Sequence, residues 1–239
     1  MFAYGGGYRA LFPVKANLVR RHFQISYNPY FLLPFLMWVL GGGMLLLMFD
    51  KIHLFAMING RHTTWADPLM FCATYMGQAE VIVPVLLLLM LIPTYRNFWY
   101  LTTATLCNVL PLLLQQSLKS YFDMPRPLGF FHSAPWIHVL PYWPQYYSRS
   151  FPSGHSQGAF SFFCFMALLL PRRYAWVGGV FFMLGITVCY SRVYLAAHFF
   201  ADIYTGSILG MVLTTTIFSV MYHYKKLFFK NSDTFTPAG

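Results

Sequence analysis

Apolar residues in this chain come in long unbroken runs, not in the alternation of a half-buried strand or the one-sided stripe of a soluble helix. The first run, Tyr30 to Phe49, reaches the roughly 20 residues a helix needs to cross a bilayer. Asp50 and Lys51 close it. Residues 52–76 mix polar and apolar positions, with Asn59-Gly60 as a turn signal and Trp65 and Tyr75 of the type found at membrane interfaces, and predict short helices lying along the surface. A second span is expected from about Gly77 to Ile92, with Glu80 at its edge and Pro93 at its end. Phe98 to Leu118, Ser153 to Leu170, Tyr174 to Tyr190 and Phe199 to Tyr222 supply four more. The pattern predicts an all-α bundle of six transmembrane helices with short interfacial helices.

Composition supports a membrane chain: 58% of residues are hydrophobic and 9% charged, against about 25% charged in soluble domains. No repeat or linker divides the 239 residues, so one membrane domain over residues 30–224 is expected, preceded by segment 1–29 and followed by a tail, 225–239. Ala10 to Phe23 intersperses Leu11, Phe12, Val14, Leu18 and Val19 with basic residues, as an interfacial helix does. Segment 1–29 has no long apolar core followed by a small-residue cleavage site, so it does not read as a removable signal peptide. Gly5 to Gly7 follow no strand and precede no Lys-Ser/Thr pair, which sets aside a phosphate loop.

The net charge of +10 raises the question of nucleic acid, but the basic residues are scattered in loops and form no stripe, so no nucleic-acid partner is expected. Topology accounts for them instead. With a cytoplasmic amino terminus, Arg9, Lys15, Arg20, Arg21, Arg96, Arg172, Arg173, Lys225, Lys226 and Lys230 fall on the cytoplasmic side, ten of the sixteen bases. That asymmetry predicts both termini inside. Cys72, Cys107, Cys164 and Cys189 stand singly in apolar surroundings and read as packing residues.

Against this background the run Ser191 to Asp202 is exceptional, because it sets Arg192, His198 and Asp202 in apolar sequence. Charged groups at the centre of a membrane helix cost about 2.5–3.5 kcal/mol or more, so such a cluster points to function. On a helix, His198 and Asp202 share one face, and the carboxylate can orient the imidazole and leave its other nitrogen free as nucleophile or base. A satisfied core His–Asp pair is equally compatible with the spacing. Lys119 and Arg126 are seven apart, nearly in line over two helical turns before Pro127, and present two cations, either for an anion or snorkelling to the interface. At the start of the fourth span, Ser153 suits an N-cap and Gly154 permits close backbone approach, a seat for phosphate. His155 stands where it can protonate a departing oxygen. The loop Leu128 to Phe151, rich in Trp, Tyr, Phe and Pro, fits an aromatic belt or a headgroup lid, and His132 and His138 within it are candidates for headgroup selection.

Taken together, Lys119-x6-Arg126-Pro127, Pro152-Ser153-Gly154-His155 and Ser191-Arg192-x5-His198-x3-Asp202 make the sequence resemble the type 2 phosphatidic acid phosphatase superfamily of integral membrane lipid phosphatases. The motifs span Lys119 to Asp202, and the expected helices extend the resemblance to about residues 30–224. The resemblance implies His198 as nucleophile forming a phosphohistidine, Asp202 orienting it, and His155 as acid and then base. It assigns Lys119, Arg126, Arg192, Ser153 and the Gly154 amide to the phosphoryl oxygens.

With six acids in all, and only Asp123 and Asp202 in the motif region, no hard-oxygen metal cluster is expected, and neither a metal nor another cofactor. The expected partners are the bilayer and a lipid phosphate: undecaprenyl diphosphate, phosphatidylglycerol phosphate, phosphatidate or lipid A. The expected place is a bacterial inner membrane with the site facing the periplasm. A lipid phosphotransferase with the same intermediate, and a non-catalytic transporter or lipid-binding scaffold, are the competing possibilities.

Overall fold

The computed structural model describes residues 27–225. The expected interfacial helix over Ala10 to Phe23, the carboxy-terminal tail beyond Lys225 and the placement of both termini lie outside the described residues. Among the described residues the fold is all-α: α1 (Pro29–Met48), α2 (Lys51–Asn59), α3 (Ala66–Tyr75), α4 (Ala79–Leu89), α5 (Phe98–Phe122), α6 (Pro127–Phe130), α7 (Gly154–Leu169), α8 (Val177–Tyr194) and α9 (Phe200–His223), with a 3-10 turn at Arg172–Tyr174. Several starts follow from side-chain caps. Asn28, Asp50, Asn97 and Ser153 each accept a backbone N–H of the helix that follows.

The expectation of six spans is corrected. Three helices, α1, α8 and α9, are long and apolar enough to cross a bilayer, and a fourth span results if α3 and α4, bent by 57° at their junction, count as one. Two expected spans fall short for different reasons. At 16 residues, α7 is about 24 Å long against a hydrocarbon core of about 30 Å. Length is no obstacle for α5 at 25 residues, but Thr102, Thr103, Thr105, Asn108, Gln115, Gln116 and Ser117 dilute its apolarity. Residues 52–76, expected as short surface helices, form α2 and α3, and α3 belongs with α4 to the bent pair that makes the fourth candidate span.

What α7 buries its apolar residues against is protein. Ala159 to Phe165 are all buried in it, and Phe160 meets Phe31, Phe35 and Phe182 at ring separations of 6.2, 5.6 and 6.1 Å. Its contact with α9 is close because α9 presents Gly206 and Gly210 one turn apart, the small-residue spacing that lets helix backbones approach. A Cβ on Gly206 would lie 2.5 Å from the Ser153 carbonyl oxygen, and one on Gly210 2.4 Å from that of Gln157. Gly206→Leu is therefore expected to remove the stable fold. Gly41→Leu, whose Cβ has nothing within 4 Å, is expected to leave it intact. Thermal unfolding of the detergent-solubilised proteins compares them.

Candidate active site

The carboxyl ends of α5 and α8 and the amino ends of α7 and α9 converge at one end of the bundle. His198 lies in the link between α8 and α9, and Asp202 in the first turn of α9. The pair therefore does not sit on one continuous helix, as the spacing suggested. Its geometry comes from capping: Asp202 Oδ2 accepts the Phe199 backbone N–H at 2.9 Å at the start of α9, and the same oxygen lies 3.3 Å from His198 Nδ1. The Ser150 hydroxyl donates to it at 2.5 Å. His198 and Asp202 are 1% and 4% exposed.

The other ring nitrogen decides the tautomer. Arg126 Nη1 is 3.3 Å from His198 Nε2, and a guanidinium only donates. Nε2 is therefore the acceptor, its lone pair directed at Arg126, and the proton resides on Nδ1 toward Asp202. Burial first, then Arg126, Arg192 and Lys119, hold His198 well below the ordinary imidazole pKa. Neutral imidazole, the nucleophilic form, results.

Lys119 and Arg126 come together by a route different from the in-line helix expected. The helix carrying Lys119 ends at Phe122, with Asp123 in the left-handed conformation as its C-cap, and Arg126 is the N-cap residue of α6. Arg126 is pinned by donating from Nε to the Ser148 carbonyl at 2.9 Å and from Nη1 to that of Ala197 at 3.0 Å. Arg192 is 1% exposed. Its Nη1 donates to Thr74 Oγ1 at 2.6 Å, while its Nε, buried, has no partner among the described residues. A buried guanidinium with an unused donor is suited to an anion.

Ser153 caps α7 and is fully buried, its Oγ taken by the Ser156 hydroxyl at 3.0 Å. Gly154 is the first residue of α7 and lies against Gln115, whose Oε1 a Cβ there would meet at 3.3 Å. His155 Nε2 is 2.8 Å from Gln78 Nε2. Gln78 is the N-cap residue of α4, so the bend between α3 and α4 delivers it. Gly77 beside it is required, since a Cβ there would lie 2.5 Å from the His155 carbonyl oxygen.

Nothing in the sequence pattern marked Gln78, Thr74 or Ser150. The aromatic loop contributes Trp143 over Arg192 at 5.2 Å and Tyr146 over Arg126 at 4.9 Å, cation–π contacts in addition to an interfacial role. His138 is paired with Asp67 at 2.8 Å and stacked on His62 at 3.9 Å. His132 lies in the same loop with a positive φ of 49°. A cavity of about 320 Å³ is lined among others by Lys119, Arg126, Tyr146 and Arg149, and Arg126 connects it to His198. Among the described residues no group of three or more His, Cys, Asp or Glu is placed to hold a metal ion.

The arrangement can hold an anion against three cations beside a neutral nucleophilic nitrogen and a second imidazole. A family model described as the PAP2 superfamily matches residues 96–226, more than half of the chain and all of the residues just placed except His62, Asp67, Thr74, Gly77 and Gln78. The chain belongs to the PAP2 superfamily. Among PAP2 relatives, phosphatidylglycerophosphatase B of Bacillus subtilis is 28% identical over 157 residues, 62% of this chain and 72% of that protein. An undecaprenyl-diphosphatase of Sulfolobus acidocaldarius is 28% identical over 164 residues, 67% of this chain and 73% of that protein. The solved structure of Aquifex aeolicus LpxE is similar in fold, with a TM-score of 0.59 and 24% identity over 72% of this chain and 97% of its own. That of a PAP2-type phosphatidylglycerolphosphate phosphatase from Bacillus subtilis gives 0.58 and 19%, over 83% and 98%. The chain is an integral membrane protein with the PAP2 phosphatase fold, and its general activity is that of a lipid phosphohydrolase.

Proposed function

We propose that this protein removes the terminal phosphate of a lipid phosphate or diphosphate through a phosphohistidine on His198, without a metal. The observation that carries this is the His198 imidazole, proton on Nδ1 toward Asp202 and lone pair on Nε2 beside Arg126. In the first step the Nε2 lone pair forms a bond to phosphorus, the bond to the leaving oxygen breaks, and that oxygen takes a proton from His155. In the second, water attacks the phosphohistidine and gives its proton to His155. The phosphorus–nitrogen bond then breaks, and its electron pair returns to His198. Lys119, Arg126 and Arg192 stabilise the charge on the phosphoryl oxygens, with the amino end of α7 at Gly154 adding its amide dipoles.

The two curated relatives, named for a phosphatidylglycerophosphatase and an undecaprenyl-diphosphatase, support a lipid phosphate as substrate. For location we propose a bacterial inner membrane with the site opening on the periplasmic side. The bases outside the site support that orientation: with Lys119, Arg126, Arg149 and Arg192 set aside as site residues, the site end keeps Lys51 and Arg61, whereas the start of α5, the α7–α8 connection and the end of α9 carry Arg96, Arg172, Arg173 and Lys225. The test is phosphate release by the purified protein from a panel of lipid mono- and diphosphates in detergent with excess chelator. Release is expected. No release from any of them overturns the proposal, and release abolished by chelator overturns the metal-free mechanism.

Gln78 acts through His155. With its amide oxygen on Nε2 it accepts from the imidazolium, and with its nitrogen there it donates to the neutral ring. Gln78→Ala is expected to lower kcat about tenfold, the worth of one hydrogen bond to a charged group, with KM changed less than about twofold. Gln78→Glu is expected to move the alkaline limb of the kcat profile to higher pH, because a carboxylate stabilises the imidazolium. Profiles of kcat against pH for the three proteins check both.

A further inference from the structure

Arg149 belongs to none of the three motifs, yet it is held as firmly as the residues that do. Its backbone lies in the left-handed region at a φ of 57°, where non-glycine residues are uncommon and, when seen, cluster at functional sites. The neighbouring hydrogen bonds keep it there. Arg126 N–H donates to the Tyr147 carbonyl at 2.9 Å, Arg126 Nε to that of Ser148 at 2.9 Å, and Ser150 N–H to that of Met124 at 2.8 Å. The side chain is anchored too, Nη2 donating to Ser120 Oγ at 2.6 Å. Arg149 and Lys119 both line the cavity of about 320 Å³ that also takes in Gln116 and Tyr146. That volume is in the range of small-ligand sites, about 300–1,000 Å³.

Charge makes the cavity specific. Lys119, Arg126, Arg149 and Arg192 gather near a single carboxylate, Asp202, and among the described residues none of the four cations is in an ion pair. Asp202 is occupied by His198, Ser150 and the Phe199 amide. Three positive charges therefore remain in excess. A phosphate monoester carries about two negative charges at neutral pH, which leaves the site still positive. A second phosphate beyond the reacting one brings it close to neutrality. Of the four cations, Arg126 touches His198 and Arg192 is fully buried, whereas Arg149 is exposed at the mouth.

We propose that Arg149, with Lys119 and Gln116, forms a second anion subsite at the mouth of the cavity, which takes the non-transferred phosphate of a lipid diphosphate. The proposal rests on the phosphatase function above and narrows its substrate class to diphosphates. Lys119 and Arg126 are shared between the two subsites: both line the cavity with Arg149, and Arg126 keeps one edge on His198 and the other toward the loop that carries Arg149. Tyr146, stacked over Arg126, closes the side of the subsite.

The test compares inorganic pyrophosphate with inorganic phosphate as ligands of the full-length protein in detergent, by calorimetry, alongside KM for a polyprenyl diphosphate and the matching monophosphate. Native protein is expected to bind pyrophosphate at least about tenfold tighter than phosphate. Arg149→Gln is expected to weaken pyrophosphate about tenfold while phosphate changes less than about twofold, the loss of one charge-assisted contact. The diphosphate KM should rise in step. Arg149→Lys keeps the charge and is expected to retain most of the preference. Equal affinity of native protein for the two anions, or an Arg149→Gln protein that loses both alike, overturns the subsite. If lipid phosphates are hydrolysed but Arg149→Gln does not discriminate among them, the subsite fails and the phosphatase function stands. If no lipid is hydrolysed while pyrophosphate still depends on Arg149, the phosphatase function fails and the anion subsite stands.

Discussion

His198→Ala is expected to lower phosphate release by about 10⁴-fold or more, the scale seen when the nucleophile of a covalent mechanism is removed. No other group can take its place at the same position. His155 is directed at Gln78, and Ser150 is engaged with Asp202. The cysteines among the described residues include three that are buried, Cys107, Cys164 and Cys189, and one exposed on α3, Cys72. Residual turnover would come from the cations alone, which still bind phosphate and stabilise charge, so KM is expected to change far less than kcat. The measurement is a rapid quench with substrate labelled in its terminal phosphate. Native protein should retain a label that is lost in acid and kept in base, as a phosphoramidate is, and His198→Ala should retain none. A label that persists in the variant places the nucleophile elsewhere.

Asp202→Asn follows at about 10²- to 10³-fold in kcat, for a reason visible in the hydrogen bonds. Asp202 Oδ2 accepts from Phe199 N–H, Ser150 Oγ and His198 Nδ1 together. With its amide oxygen at that position an asparagine keeps the three contacts and loses the negative charge, which balances the positive charge the ring acquires as Nε2 bonds to phosphorus. Leaving a buried charge without its partner costs about 3–5 kcal/mol, on the order of 10²- to 10³-fold in rate. Phosphate affinity should be little changed because the three cations remain. A fall in kcat of less than about tenfold with an unaltered melting temperature would show that Asp202 serves the start of α9 and not the imidazole.

Tertiary packing corrected the span count most. Runs of apolar residues report burial without reporting what buries them, and α7 is apolar because it occupies the centre of the bundle, not because it faces lipid. The hydropathy pattern also hid the 57° bend between α3 and α4, since it assigned α3 to the mixed stretch before Gly77 and began the span only there. The bend proves to be what sets Gln78 against His155. The spacing of His198 and Asp202 suggested a helix face, and the pair is brought together instead by a carboxylate capping the turn that starts α9. Lys119 and Arg126 likewise meet across a helix end, because Asp123 turns the chain.

Local order in the chain was enough to establish the all-α class, the position of most helices and the PAP2 motifs, because capping residues, prolines and hydrophobic runs act over a few residues and leave their mark in the order of side chains. The partners of those motifs were settled only by packing. Thr74 reaches Arg192 across 118 positions and Gln78 reaches His155 across 77, while Trp143, Tyr146 and Arg149 arrive on a loop whose composition alone fits an interfacial belt. Contacts over such separations depend on which helix faces meet, and that is a property of the assembled bundle, where close approach at Gly206 and Gly210 brings the ends of α7 and α9 into one site.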